Sequence, residues 1–64
     1  MKVRKVKEII KLIESDGWFL VKIRGDHRQF KHPTKKGKVT VPGKLSDDLD
    51  PNTAKNILIQ AGLL

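Results

Sequence analysis

The chain contains two histidines, His27 and His32, and both sit in the cationic stretch RGDHRQFKHP from Arg24 to Pro33. An imidazole with its ordinary pKa of about 6.5 takes up and releases protons near neutrality. Lys22, Arg24 and Lys31 lie within five residues of His27. Their charged groups can hold phosphate oxygens and stabilise the extra negative charge of a phosphoryl transition state. The chemistry this set permits is attack of a ribose 2′-hydroxyl on the adjacent phosphate, with His27 accepting the proton. Such a reaction needs RNA, because DNA lacks the nucleophile. It needs no metal. The proton donor for the leaving 5′-oxygen is not evident. A histidine beside a turn is also an ordinary solvated residue, so the face on which His27 stands decides between the two readings.

Other chemistries find little support. There is no cysteine, which removes thiol nucleophiles, disulfides and four-cysteine zinc sites and fits a reducing cytoplasm. Ser15 and Ser46 have no histidine–carboxylate partners in the sequence. His27 and His32 lack the i, i+4 spacing of a helical zinc pair. Asp47, Asp48 and Asp50 do not follow the calcium-loop pattern and read as a capping, solubilising cluster. No glycine-rich phosphate loop occurs. No cofactor and no metal site are therefore expected. The N-terminal residues show no apolar run of secretory or membrane-spanning length.

The net charge of +7 is unevenly placed. Between Gly17 and Lys44 stand eight Lys/Arg and one acid, Asp26, whereas the flanks are close to balanced. A basic segment concentrated this way points to a polyanion, most often nucleic acid.

The elements that would position these groups follow from periodicity. The 64 residues suit a single domain, 1–64. Val3 to Glu14 reads as a helix, with Val6, Ile9, Ile10 and Ile13 as its core face and Gly17 as its stop. Trp18 to Arg24 reads as a strand in which alternation turns Phe19, Val21 and Ile23 inward. Trp18 falls nominally on the other face with Leu20, Lys22 and Arg24. A tryptophan opening a strand nonetheless more often packs on a neighbouring helix. Gly25-Asp26 fits a two-residue hairpin loop. His27 to His32 returns, with Phe30 inward, and so Arg28 and His32 on that side. Pro33 ends this strand and residues 34–37 turn. Lys38 to Val41 is a third strand with Val39 and Val41 inward. Leu45 to Leu49 reads as a short acidic loop. Asp50-Pro51 starts a second helix, buried through Ala54, Ile57, Leu58 and Ala61.

The expected fold is therefore α+β in the order α-β-β-β-α: a three-stranded antiparallel sheet with two helices packed on one face. The other face stays open and carries Lys22, Arg24, His27, Gln29, Lys31, Lys38 and Thr40. A one-residue slip of the second strand would send His27 to the covered side.

With these residues in place, the order of elements resembles the double-stranded-RNA-binding fold, and the sequence resembles the HicA family of mRNA interferase toxins. The matches are Gly17-Trp18, Gly25-Asp26-His27 with Phe30 and His32-Pro33, Val39-Thr40-Val41-Pro42, Pro51-Asn52-Thr53, and Ile57 through Leu63. They span nearly the whole chain in the family's order. The resemblance implies a ribosome-independent endoribonuclease that cleaves mRNA in the cytoplasm. It implies His27 as the catalytic histidine, and a HicB-type antitoxin partner that covers the active face. Two departures stand out: Asp26 occupies a position that is often serine, and Gly43-Lys44-Leu45 lacks the histidine many members carry after the Val-Pro pair.

The leading reading is a metal-independent endoribonuclease toxin. His27 is its catalytic residue, and Lys22, Arg24, Gln29, Lys31, Lys38 and Thr40 contact the RNA. The alternatives are a small RNA-binding module without catalysis, and a basic domain that only docks an acidic protein.

Overall fold

A computed structural model describes residues 4–64, with side chains from Lys5 onward; Val3 lies outside the described residues. In chain order the elements are β1 (Arg4–Lys5), α1 (Val6–Ser15), β2 (Phe19–Arg24), β3 (His27–Lys31), β4 (Val39–Val41), β5 (Asp48–Leu49) and α2 (Pro51–Gln60). Strands β2, β3 and β4 form one antiparallel sheet in that order. The expected α-β-β-β-α architecture is the one found.

Both helices bury the stripes their spacing predicts. Val6, Ile9, Ile10 and Ile13 of α1 and Ala54, Ile57 and Leu58 of α2 share one core with Phe30, Val39, Val41, Leu49, Trp18 and Ala61. The start of α2 follows its capping chemistry: the Asp50 carboxylate accepts from the amides of Asn52 and Thr53, and Pro51 takes the first turn. The start of α1 has no side-chain cap from its own Ncap residue, Lys5. Instead the amides of Val6 and Lys7 donate to the carbonyls of Asp47 and Leu45, and Glu8 reaches back to accept from the Lys5 amide. Donors that a helix leaves orphaned are thus satisfied by the later loop.

That loop is where one expectation fails. Leu45 to Leu49 is not wholly irregular, because Asp48–Leu49 pairs antiparallel with Arg4–Lys5 as a miniature second sheet, and for the same reason the helix expected from Val3 begins only at Val6. Leu49 is buried, and Lys5 Nζ lies 3.2 Å from Asp48 Oδ1. Pairing between residues as far apart in sequence as Lys5 and Asp48, 43 positions, has no local signature, which is why periodicity does not disclose it.

A second correction concerns β2. Phe19, Val21 and Ile23 were expected inward, yet every residue of β2 is exposed and none joins the core. The register explains how. Phe19 pairs with Lys31 and Leu20 with Phe30, but the next pair is Lys22 with Gln29. Val21 is therefore the extra residue of a β-bulge, and alternation breaks step there. Trp18 and Leu20 fall on the helix side with Phe30, whereas Phe19 is turned to the open side. Beyond the bulge Ile23 faces the helix side opposite Arg28, as alternation requires, but at the sheet's edge it remains in solvent.

The cause lies at the end of α1. The Gly17 amide donates to the Glu14 carbonyl and the Trp18 amide to the Ile13 carbonyl, the paired bonds of a Schellman motif. Gly17 has φ +107°. The residue after that glycine folds back onto its helix, so Trp18 is only 2% exposed, and its indole N–H donates to the Ala61 carbonyl at 3.2 Å. With Trp18 fixed inward, Phe19 must point outward.

Gly17 is also pressed against a side chain: a Cβ there would lie 2.8 Å from His32 Nε2. At Gly25, φ +61°, a Cβ would meet open space. Gly25→Ala is expected to cost about 1–2 kcal/mol from backbone conformation alone. Gly17→Ala should cost clearly more, since the ring must also move. Urea unfolding of the two variants beside the wild type checks the order, and equal losses would contradict it.

Candidate functional site

The open side of the sheet is built in cross-strand ranks. Arg24 stands opposite His27 next to the hairpin. In the next rank Gln29 lies between Lys22 on β2 and Thr40 on β4. Lys31 and Phe19 form the third. Lys38, exposed, immediately precedes β4. Residues directly opposite in such ranks share a face. The structure therefore gathers Lys22, Arg24, His27, Gln29, Lys31 and Thr40 on one face, and that face also holds Phe19, which alternation had assigned to the core.

The hairpin aims His27. Gly25 alone takes positive φ in the two-residue loop, as in a type II′ turn, so Arg24 and His27 pair directly. The His27 side chain is 56% exposed, and its Nδ1 lies 3.0 Å from Asp26 Oδ1. A carboxylate against Nδ1 favours the proton on that nitrogen, which leaves Nε2 to accept one.

The other basic residues divide into two sets. Among the described residues, Lys22, Arg24, Lys31 and Lys38 have no carboxylate within ion-pair distance. Arg28 and Lys35 are committed to the fold. Arg28, on the helix side, donates to the Gly43 carbonyl at 2.8 Å. Lys35 Nζ donates to Asp16 Oδ2 and to the Ala61 carbonyl, so one ammonium serves the C-terminal ends of both helices. Sequence reading gave no sign of this; every lysine between Gly17 and Lys44 looked equally free.

His32 belongs to the same knot. Its Nδ1 accepts from the amides of Thr34 and Lys35 at 3.1 and 3.0 Å. Nε2 must then carry the proton, which it donates to the Asp16 carbonyl at 2.6 Å. The ring meets Trp18 edge-to-face with centroids 5.2 Å apart. Both nitrogens are used, on the side away from His27. The acidic cluster has structural work too: Asp47 accepts from the Lys44 amide, Asp48 meets Lys5, and Asp50 caps α2. Among the described residues no three His, Asp or Glu side chains converge as metal ligands do, and no pocket is present. No described helix is long and apolar enough to cross a membrane.

Fold and site together define a class: a small α+β domain whose sheet is covered on one side and, on the other, presents unpaired cations around a solvent-open imidazole. The chain belongs to the HicA toxin family, whose model, described as the HicA toxin of bacterial toxin–antitoxin systems, matches residues 6–63. It is accordingly the toxin component of such a system. No curated protein matches the chain.

The knot carries a pH signature. Asp16 titrates below its ordinary 3.8, chiefly because Lys35 hydrogen-bonds its carboxylate; desolvation opposes this in part, and the charge of the same ammonium adds to the lowering. A carboxyl whose folded pKa is depressed contributes stability above its unfolded pKa and loses it as pH falls through the folded value. The wild type should therefore exceed Lys35→Met by a constant margin near neutrality. That margin should shrink as pH drops below about 4. Thermal melts of both proteins between pH 7 and pH 2 test this; a margin independent of pH would remove the ion pair from the account.

Proposed function

We propose that this chain, as a single domain of residues 1–64, is a metal-independent endoribonuclease that cleaves mRNA without the ribosome, with His27 as its proton-transfer residue. The observation that supports this most directly is the solvent-open His27 ring. One nitrogen faces Asp26, and the row around it holds Lys22, Arg24 and Lys31, which have no carboxylate partners among the described residues.

In the proposed reaction His27 Nε2 removes the proton from a ribose 2′-hydroxyl. The 2′-oxygen bonds to phosphorus as the bond to the 5′-oxygen breaks, giving a 2′,3′-cyclic phosphate and a 5′-hydroxyl. Arg24 and Lys22 hold the non-bridging oxygens, and Lys31, Lys38, Gln29 and Thr40 hold the strand on either side. His32 is committed elsewhere, so the leaving oxygen takes its proton from water or a lysine ammonium, or back from His27. Asp26 orients the imidazole. An open face without a pocket suits a polymer better than a small molecule. In the cell the same face would be covered by a HicB-type antitoxin, in the cytoplasm where mRNA is found.

His27→Ala is expected to lower the cleavage rate by about 10²–10⁴-fold with RNA affinity nearly unchanged. The assay is purified protein with single-stranded RNA in the presence of EDTA. Cleavage at the wild-type rate by the alanine variant would defeat the assignment and leave a binding module without catalysis. Affinity should fall steeply with salt. Lys22→Ala and Lys31→Ala should each weaken binding and flatten the slope of log K against log salt by about 0.7. Titrations at several ionic strengths measure that slope, and unchanged slopes in both variants would take these lysines off the RNA surface.

A further inference from the structure

Besides its two imidazoles the chain has three aromatic side chains, Trp18, Phe19 and Phe30. Trp18 and Phe30 are buried, whereas Phe19 is 49% exposed. The bulge at Val21 and the inward lock on Trp18 place this ring on the cationic side, in the same rank as Lys31. The other exposed apolar residues of β2 with a cross-strand partner, Leu20 and Ile23, face the opposite side. Phe19 is thus the exposed phenyl ring of the described residues, a flat apolar surface that stands among cations. That combination fits a nucleobase, which offers a π-face and carries its own phosphate. It fits a protein partner less well, since docking of that kind favours a continuous apolar patch.

We propose that Phe19 is a base-stacking subsite of the RNA-cleaving face. On the reading of that face given above, the ring takes one unpaired base while Lys31 holds a neighbouring phosphate. Lys31 lies four positions along β3 from His27, a distance of about 13 Å. That is about four nucleotides of stacked strand, or roughly two of an extended one. The stacked base therefore lies a short, fixed number of nucleotides to one side of the scissile bond. The subsite sets where along the strand His27 acts and favours single-stranded over paired substrate. Stacking tolerates every base, so its sequence preference is for stacking strength, with purines above pyrimidines.

The test uses the full chain in four forms: wild type, Phe19→Leu, Phe19→Trp and His27→Ala. Short single-stranded RNAs carry 2-aminopurine at successive positions, with a 2′-deoxy residue at the scissile site to prevent cleavage. Wild type and Phe19→Trp should quench the fluorophore strongly at one position, two to four nucleotides from the cut. Phe19→Leu should lose that quench and bind about 5- to 150-fold more weakly. An abasic residue at that position should cost the wild type the same factor while adding little to the loss in Phe19→Leu. Matching thermal melts show that the leucine variant is folded.

Quenching at no position, or leucine binding and cutting as the wild type does, overturns the subsite. So does a leucine variant normal toward RNA but poorly neutralised by the antitoxin, which would assign the ring to protein docking. His27→Ala keeps the reading of catalysis separate: it should keep the quench and lose cleavage. If it keeps both, the catalytic assignment falls while the stacking site stands.

Discussion

The imidazole of His32 is held at both nitrogens by backbone, and much of the molecule is arranged around that fact. One side accepts the amides of Thr34 and Lys35, which open the connection from β3 to β4. The other donates to the Asp16 carbonyl, where α1 ends. Lys35, brought in by the same turn, closes onto the Asp16 carboxylate and the Ala61 carbonyl, where α2 ends. Trp18 packs against the ring and also reaches Ala61. One helix end, one strand end and one loop meet at a single imidazole, and Lys35 and Trp18 tie in the end of the other helix. A chain of 64 residues has a small core and no cross-link, so a satisfied polar junction of this kind supplies definition that burial alone cannot.

That junction also shapes the opposite side of the sheet. Trp18 must face inward to complete it, and Lys22 and Arg24 must face outward because nothing inside would neutralise them. Trp18 and Lys22 are four positions apart, an even number, and an unbroken strand would put them on the same face. The extra residue at Val21 resolves the conflict. The fold's demand and the surface's demand are met within one six-residue strand, and Phe19 is displaced into solvent as a result.

The sequence was most legible where the signal is local. Helix stripes, the Asp50-Pro51 start, the Gly25-Asp26 turn and the parity of β3 and β4 rest on spacing within a few residues, and each agrees with the structure. Parity alone placed His27 and its neighbouring cations on the open face. Legibility ended where partners are distant in sequence. The pairing of Arg4–Lys5 with Asp48–Leu49 and the engagement of Lys35 with both helix ends need the tertiary fold to exist first. The bulge is an intermediate case. A buried tryptophan and an outward lysine at even separation already contradict strict alternation, so the break in step was implied without being locatable.

The outer edge of β2 shows a row of main-chain donors and acceptors flanked by Leu20, Val21 and Ile23. Such an edge readily adopts a copy of itself. Its protection is the charge it shares with every other copy, since +7 on so small a body keeps like molecules apart. Dissolved ions weaken that repulsion, whose reach falls to about 3 Å in molar salt. Colloidal stability and the electrostatic grip on a polyanion thus draw on the same lysines and arginines. When it is free of any partner, this chain keeps both properties only in dilute electrolyte.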